Sequence, residues 1–163
     1  MSSKWCGSIA FALLTGCAAT PGMVALKADG SPGPEPCPKK ALETMAILRL
    51  HPGTSAWIQI DQNKVGQRDF TINDGPVESI LEDALGSTLL QGGTRVYGQV
   101  WTSGPDIVIR YYEARPLDPG GPLAICAIAR LDRGQLKKKP GPAPGSAVIE
   151  YSTARLVVVD GFR

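Results

Sequence analysis

Thr94-Arg-Val-Tyr-Gly-Gln-Val-Trp-Thr102 decides the fold class. Val96, Gly98 and Val100 fall on one face, while Arg95, Tyr97, Gln99 and Trp101 fall on the other. That period of two belongs to a strand with one buried face. It recurs in Ser55–Asp61, where Ala56, Ile58 and Ile60 oppose Trp57, Gln59 and Asp61. Arg68–Ile72, Asp106–Ala114, Pro122–Leu131, Ala147–Glu150 and Arg155–Asp160 are further strand candidates. Pro122–Leu131 is apolar on both faces, which predicts a central strand. Gly104-Pro105 and Asp118-Pro-Gly-Gly-Pro122 punctuate the series as turns. About seven short strands predict a mainly β domain, a small barrel or sandwich.

Two segments read differently. After Cys37-Pro38, the residues Leu42, Met45, Ala46 and Arg49 follow at helical spacing until Pro52-Gly53 stops the element. The spacing predicts a short N-terminal helix at about 38–48, although Met45–Leu50 could equally begin a strand. In Asp74–Gly86, Val77, Ile80, Leu81, Ala84 and Leu85 stand at i, i+3, i+4, i+7 and i+8, with Asp before and Gly after. On pattern alone that segment is a helix as well.

Composition narrows the classes. The chain has 163 residues, 20% charged and 43% hydrophobic, with a formal net charge of +2. These values exclude a disordered acidic chain and a strongly basic nucleic-acid binder. The 19 glycines and 14 prolines suit short strands joined by turns.

The N-terminus carries an address. Lys4 precedes a short apolar stretch, Trp5–Leu14, and Leu14-Thr15-Gly16-Cys17 closes it with small residues before a cysteine. The tetrapeptide resembles the bacterial lipobox. That resemblance implies a signal peptide at 1–16, cleavage before Cys17, and a diacylglycerol on the Cys17 thiol. The apolar run is about half of the ~20 residues a membrane-spanning helix needs. Ordinary secretory cleavage near Cys17–Ala19 is the alternative. Several acyl chains, at roughly 0.8 kcal/mol per buried methylene, would hold the chain to a membrane. The expected location is the cell envelope: the outer membrane, its periplasmic side or the cell surface. Losing Lys4 from 17 basic residues leaves 16 against 15 acidic ones, a nearly neutral mature chain. Residues 17–36 hold Pro21, Pro32, Pro34 and Pro36 with Gly22, Gly30 and Gly33, and read as a flexible tether to a single domain at 37–163.

With Cys6 discarded and Cys17 acylated, Cys37 and Cys126 remain of four cysteines. In an oxidising compartment such a pair reads as a disulfide; free thiols or a metal pair is the alternative.

The lipobox, the Cys37-Pro38 opening and Leu90-Gln-Gly-Gly-Thr-Arg-Val-Tyr-Gly-Gln-Val100, leading to a strand with a cysteine, together resemble a group of small myxobacterial exported proteins and lipoproteins of unknown function. The resemblance implies a strand around Val77–Leu85, against the helical spacing there. Members often carry a serine/threonine protein kinase label. The kinase motifs are missing, and Asp160-Gly161-Phe162 has the metal-site letters in the wrong order. The run Gly93-Thr-x-Val-x-Gly-x-Val100 also faintly resembles a strand of periplasmic secretion-channel barrels, but a hairpin entry with a bend at Gly98 accounts for it.

Chemistry has few carriers. His51 is the one histidine and precedes Pro52 at an element end, which predicts an exposed loop position. No metal site or cofactor is expected, because a zinc site needs three or four suitable ligands. Glu78, Glu82 and Asp83, with Asp69 and Asp74 nearby, are the residues a carboxylate-dependent hydrolase would need; a charged outer face explains them more simply. Lys137–Lys139, before Pro140-Gly-Pro-Ala-Pro-Gly145, read as a solvated loop or as a patch for anionic lipid or polysaccharide. Trp57, Tyr97 and Trp101, with Arg95, would suit a glycan or protein partner if they share an outward face; Tyr111, Tyr112 and Arg110 lie on a neighbouring run. The expectation is a lipid-anchored, non-catalytic structural or ligand-binding envelope component. Its rival is an enzyme, either a hydrolase or the kinase of the family label.

Overall fold

The computed structural model describes residues 24–117, 120–131 and 134–163. Cys17, the signal segment and the Asp118-Pro119 part of one expected turn lie outside the described residues. In chain order the elements are β1 (Glu35–Pro36), α1 (Lys39–Ile47), β2 (Ser55–Gln59), β3 (Arg68–Asn73), β4 (Gly75–Leu81), β5 (Arg95–Trp101), β6 (Val108–Arg115), β7 (Leu123–Arg130), β8 (Lys139–Pro140), β9 (Ser146–Tyr151), β10 (Thr153–Val158) and β11 (Gly161–Phe162).

Six strands close a barrel in the order β10-β2-β4-β5-β6-β7, every neighbouring pair antiparallel. Closure removes the exposed edges that an open sheet would present. Cross-strand partners share a face, so the register sorts the side chains. Ala56 and Ile58 of β2 meet Leu156 and Ala154 of β10, and Leu156 and Val158 meet Ala129 and Ala127 of β7. With Leu81, Val96, Val100, Ile109 and Tyr111 these fill the interior, all buried. Small alanines stand opposite branched residues, which suits the interior of so narrow a barrel.

Beyond one end of the barrel, β3, β9 and β8 form a second antiparallel sheet. It buries Phe70, Ile72, Ala147 and Ile149. The helix lies against β7 from outside: Ala41 and Met45 are buried, and the Cys126 amide donates to Met45 Sδ at 3.4 Å. Around Cys126, β7 is therefore covered on both faces, as its apolar run predicts. A disulfide joins Cys37, just before α1, to Cys126 of β7, with Cα atoms 6.0 Å apart. Arg49 ends the helix in the left-handed region (φ 56°), with the Leu50 amide donating to Met45 O and the Arg49 amide to Ala46 O.

Two expectations are corrected. Gly75–Leu81 is a strand, not the start of a helix over 77–85. Its period of two was hidden because Ser79, a polar residue, occupies an interior position between Val77 and Leu81, while apolar Ile80 faces out beside Arg95. The Ser79 hydroxyl donates to Ile60 O at 2.6 Å and accepts from the Tyr111 hydroxyl at 2.7 Å, which is how a buried hydroxyl is tolerated. The second correction concerns the tether. From residue 24 onward the segment read as flexible is folded onto the barrel. Leu26 bridges to Pro32, Ser31–Gly33 are buried, and β1 pairs with β11.

Candidate functional site

The three aromatics singled out in the sequence all sit on the outer surface, but they do not form one face. β4 lies between Trp57 on β2 and Tyr97 on β5. Each ring carries its own arginine instead: Arg155 over Trp57 at 4.8 Å, Arg115 over Tyr97 at 4.4 Å, and Arg110 by Trp101 at 5.5 Å. Cation–π pairing of this kind stabilises a sheet surface by itself.

Around Tyr97 the charges are compensated. Arg95 pairs with Glu78 at 2.8 Å and Arg115 with Glu113 at 2.6 Å. The Glu113 carboxylate holds the Arg115 guanidinium above its usual range. Around Trp101 the surface is covered. Arg110 is buried under the N-terminal segment, donating to Gly33 O at 2.7 Å and pairing with Glu35 at 3.3 Å, while Phe162 stacks at 4.9 Å. Tyr112 donates to the same Glu35 carboxylate at 3.0 Å. Arg95, Tyr97 and Trp101 thus leave the candidate binding face, and Trp57 stays.

Beside Trp57 a cleft of about 660 Å³ opens, lined by Leu131, Gly134, Gln135, Lys137, Tyr151 and Thr153. Tyr151 bears Arg68 at 5.1 Å, whose Nη2 donates to the phenol oxygen at 3.2 Å. A second cleft of about 450 Å³ shares Gln135 and is lined by Ile128, Arg130 and Val157 on the outer face of β7 and β10. Arg130 is the direct cross-strand partner of Arg155, which is in turn the partner of Trp57. The Arg155 Nη1 donates to Ser55 Oγ at 2.9 Å. A row Trp57–Arg155–Arg130 therefore crosses three strands between the two clefts.

Lys137–Lys139 border this region and are not simply solvated. Lys137 pairs with Asp106 at 3.0 Å, Lys138 donates to Thr102 O, and Lys139 pairs with Asp69 at 2.7 Å. The Asp69 carboxylate holds the Lys139 ammonium above the usual lysine range.

The carboxylates do not converge. Glu78 is paired with Arg95, Asp83 accepts the Trp57 amide at 2.7 Å, Asp74 accepts the Thr102 amide, and Asp69 meets Lys139. His51 is exposed in the turn before β2. Among the described residues, no three His, Cys, Asp or Glu side chains are grouped to hold a metal ion. Sequence reasoning missed Arg130, Arg155, Tyr151 and Gln135. Arg155 had the right signal, an outward position in an alternating run, but its pairing with Trp57 spans about a hundred residues and exists only once the barrel closes. Comparison with family models, curated proteins and solved structures finds no match to this chain.

Proposed function

We propose that the chain is an exported protein moored in the cell envelope by a lipid on Cys17, whose barrel works as a non-catalytic ligand- or partner-binding module through the Trp57 cleft. The observation that carries the binding role is the open cleft walled by two aromatic rings, Trp57 and Tyr151, each with an arginine on its face. Such a cavity, apolar rings with a few placed polar groups, has the composition of a recognition site. The Cys37–Cys126 bridge supports export, since structural disulfides persist in oxidising compartments. Against catalysis stand Glu78, Asp83, Asp74 and Asp69, each used by a neighbouring cation or amide.

Cells expressing the full chain test this. Palmitate label is expected on the protein in the envelope fraction, and the Cys17→Ala protein is expected unlabelled and released. Turnover of ATP or of aryl glycosides by the purified protein, above a buffer control, would sink the non-catalytic reading and revive the enzyme.

A further inference from the structure

We propose that the groove over β6 is a recognition site for an extended, proline-rich, carboxylate-bearing segment of another protein, and that residues 24–36 fill it as a displaceable internal stand-in. This site is separate from the Trp57 cleft. Chemistry gives the first argument. Arg110, its side chain only 2% exposed, finds its carbonyl and carboxylate acceptors on this strap: Gly33 O at 2.7 Å, Pro32 O at 3.4 Å and Glu35 at 3.3 Å. The Tyr112 hydroxyl donates to the same carboxylate. The Arg110 guanidinium lies against the Trp101 and Phe162 rings, and Tyr112 meets Phe162 edge-on at 5.2 Å. β1 adds to β11 as an antiparallel strand. Aromatic walls, a cation for a carboxylate and a strand edge for the backbone are means by which domains hold extended peptides. The strap shows what fits. Pro32, Pro34 and Pro36 keep it extended with little entropy to lose, and Glu35 follows the gripped Gly33 carbonyl by two residues.

Attachment gives the second argument. The strap spends its own amides internally: Lys27 N donates to Ser31 O at 2.8 Å, Gly33 N to Ala25 O at 2.7 Å and Ser31 N to Asp29 Oδ1 at 2.9 Å. Its prolines have no amide hydrogen to donate. Strand pairing with the rest of the molecule is confined to Glu35 and Pro36 of β1, so the strap can open as a unit of its own. The Cys37–Cys126 bridge begins one residue later and keeps α1 against β7 when the strap leaves. What remains is a cation between aromatic rings without its acceptors, a state that another carboxylate relieves. The bridge also argues against a second copy as the source. Pro36 alone separates Glu35 from the bridged Cys37, so one copy's Glu35 reaches another's Arg110 only with the two bridges almost in contact.

Fluorescence anisotropy of a labelled synthetic peptide of residues 24–36, added to the detergent-solubilised full chain, tests this. The unaltered chain is expected to bind it weakly, because the tethered strap competes at high effective concentration. Gly33→Ala in the chain should bind the peptide at least about tenfold tighter. The added Cβ falls 2.8 Å from Ala25 O, inside the strap, and meets nothing of the barrel within 4 Å. A peptide carrying Glu35→Gln should bind about tenfold more weakly, as should the unaltered peptide to a chain carrying Gly33→Ala and Arg110→Gln together. Trp57→Ala should change nothing. Melting curves separate unfolding from loss of the site, and the Gln peptide keeps the test decisive if the double variant fails to fold. Absence of binding by the folded Gly33→Ala chain overturns the proposal and makes the strap a fixed part of the fold. Binding indifferent to Glu35→Gln in the peptide overturns it too, by removing Arg110 from recognition. Dimers of the unaltered chain that the peptide disperses would assign the groove to a second copy and overturn the foreign source. The lipid and localisation assays report on the proposed function separately.

Discussion

Gly98 shows how much one residue can decide. A Cβ there would sit well inside contact distance of the Arg110 carbonyl oxygen and 2.9 Å from the Tyr111 ring. The β5–β6 register shifts at Tyr97/Gly98, so the strand bends where the two chains approach closest. Gly98→Ala is expected to destabilise by about 1–3 kcal/mol in urea melts through overpacking; an unchanged midpoint would show that the approach is not tight. Tyr111, packed against that glycine, is the second decisive residue. Burial pushes its phenol well above the usual tyrosine range, and the Ser79 hydrogen bond opposes only part of this. In the unfolded chain a tyrosine titrates near ~10. Below that pH both states keep the proton and the contribution is constant. Above it the unfolded chain releases the proton first, so stability falls as pH rises. Tyrosinate absorbance from Tyr111 should therefore appear only together with loss of the β circular dichroism signal. Ionisation of all four tyrosines with the fold intact would contradict the buried position.

Among the elements, the alternating strands were legible and the irregular ones were not. The seven candidate runs became strands, Thr94–Thr102 and Ser55–Asp61 through an outward polar and inward apolar pattern that states its own geometry, and Pro122–Leu131 through an apolar run covered on both faces. Gly75–Leu81 was obscured by the inward Ser79 and the outward Ile80. The N-terminal segment was obscured by its composition: prolines and glycines resemble a tether unless the partner is known. That partner is Arg110, more than seventy residues away, which takes the Gly33 carbonyl and the Glu35 carboxylate together. With its side chain only 2% exposed, this cation cannot lose its partners cheaply. Removing it leaves Glu35 with the Tyr112 hydroxyl but without its cation, and loosens β1. Arg110→Ala is expected to cost about 3 kcal/mol and to raise amide exchange at residues 31–36 ahead of the barrel strands. Equal protection of that segment in both proteins would contradict its role as the clamp.

For the molecule as a whole, two long-range connections determine what the sequence could and could not reveal. The Cys37–Cys126 bridge was legible from arithmetic on four cysteines, and it closes a loop of 89 residues. In the chain-entropy account such a loop stabilises by about 4–5 kcal/mol. The Cys37→Ser/Cys126→Ser double variant should therefore lose about that much, with α1 released from β7 first; a loss near zero would mean that α1 packing alone holds the N-terminal half. The closure of β10 against β2 was not legible, and with it went the site. Trp57 was visible as an outward aromatic, yet nothing local assigned it Arg155, Arg130 and Tyr151 as neighbours. Arg95, Tyr97 and Trp101 lie along one outward face of β5, with β4 between them and Trp57: outwardness is a local property, and convergence across strands is not.

Mass spectrometry of the protein isolated from cells decides whether the barrel is exported, moored at Cys17 and bridged at Cys37–Cys126. An N-terminal peptide beginning at diacylglyceryl-Cys17 is expected and, without reduction, a single species linking the Cys37 and Cys126 peptides. An unmodified Cys17 still joined to Leu14-Thr15-Gly16, with Cys37 and Cys126 both free to alkylate, would contradict it.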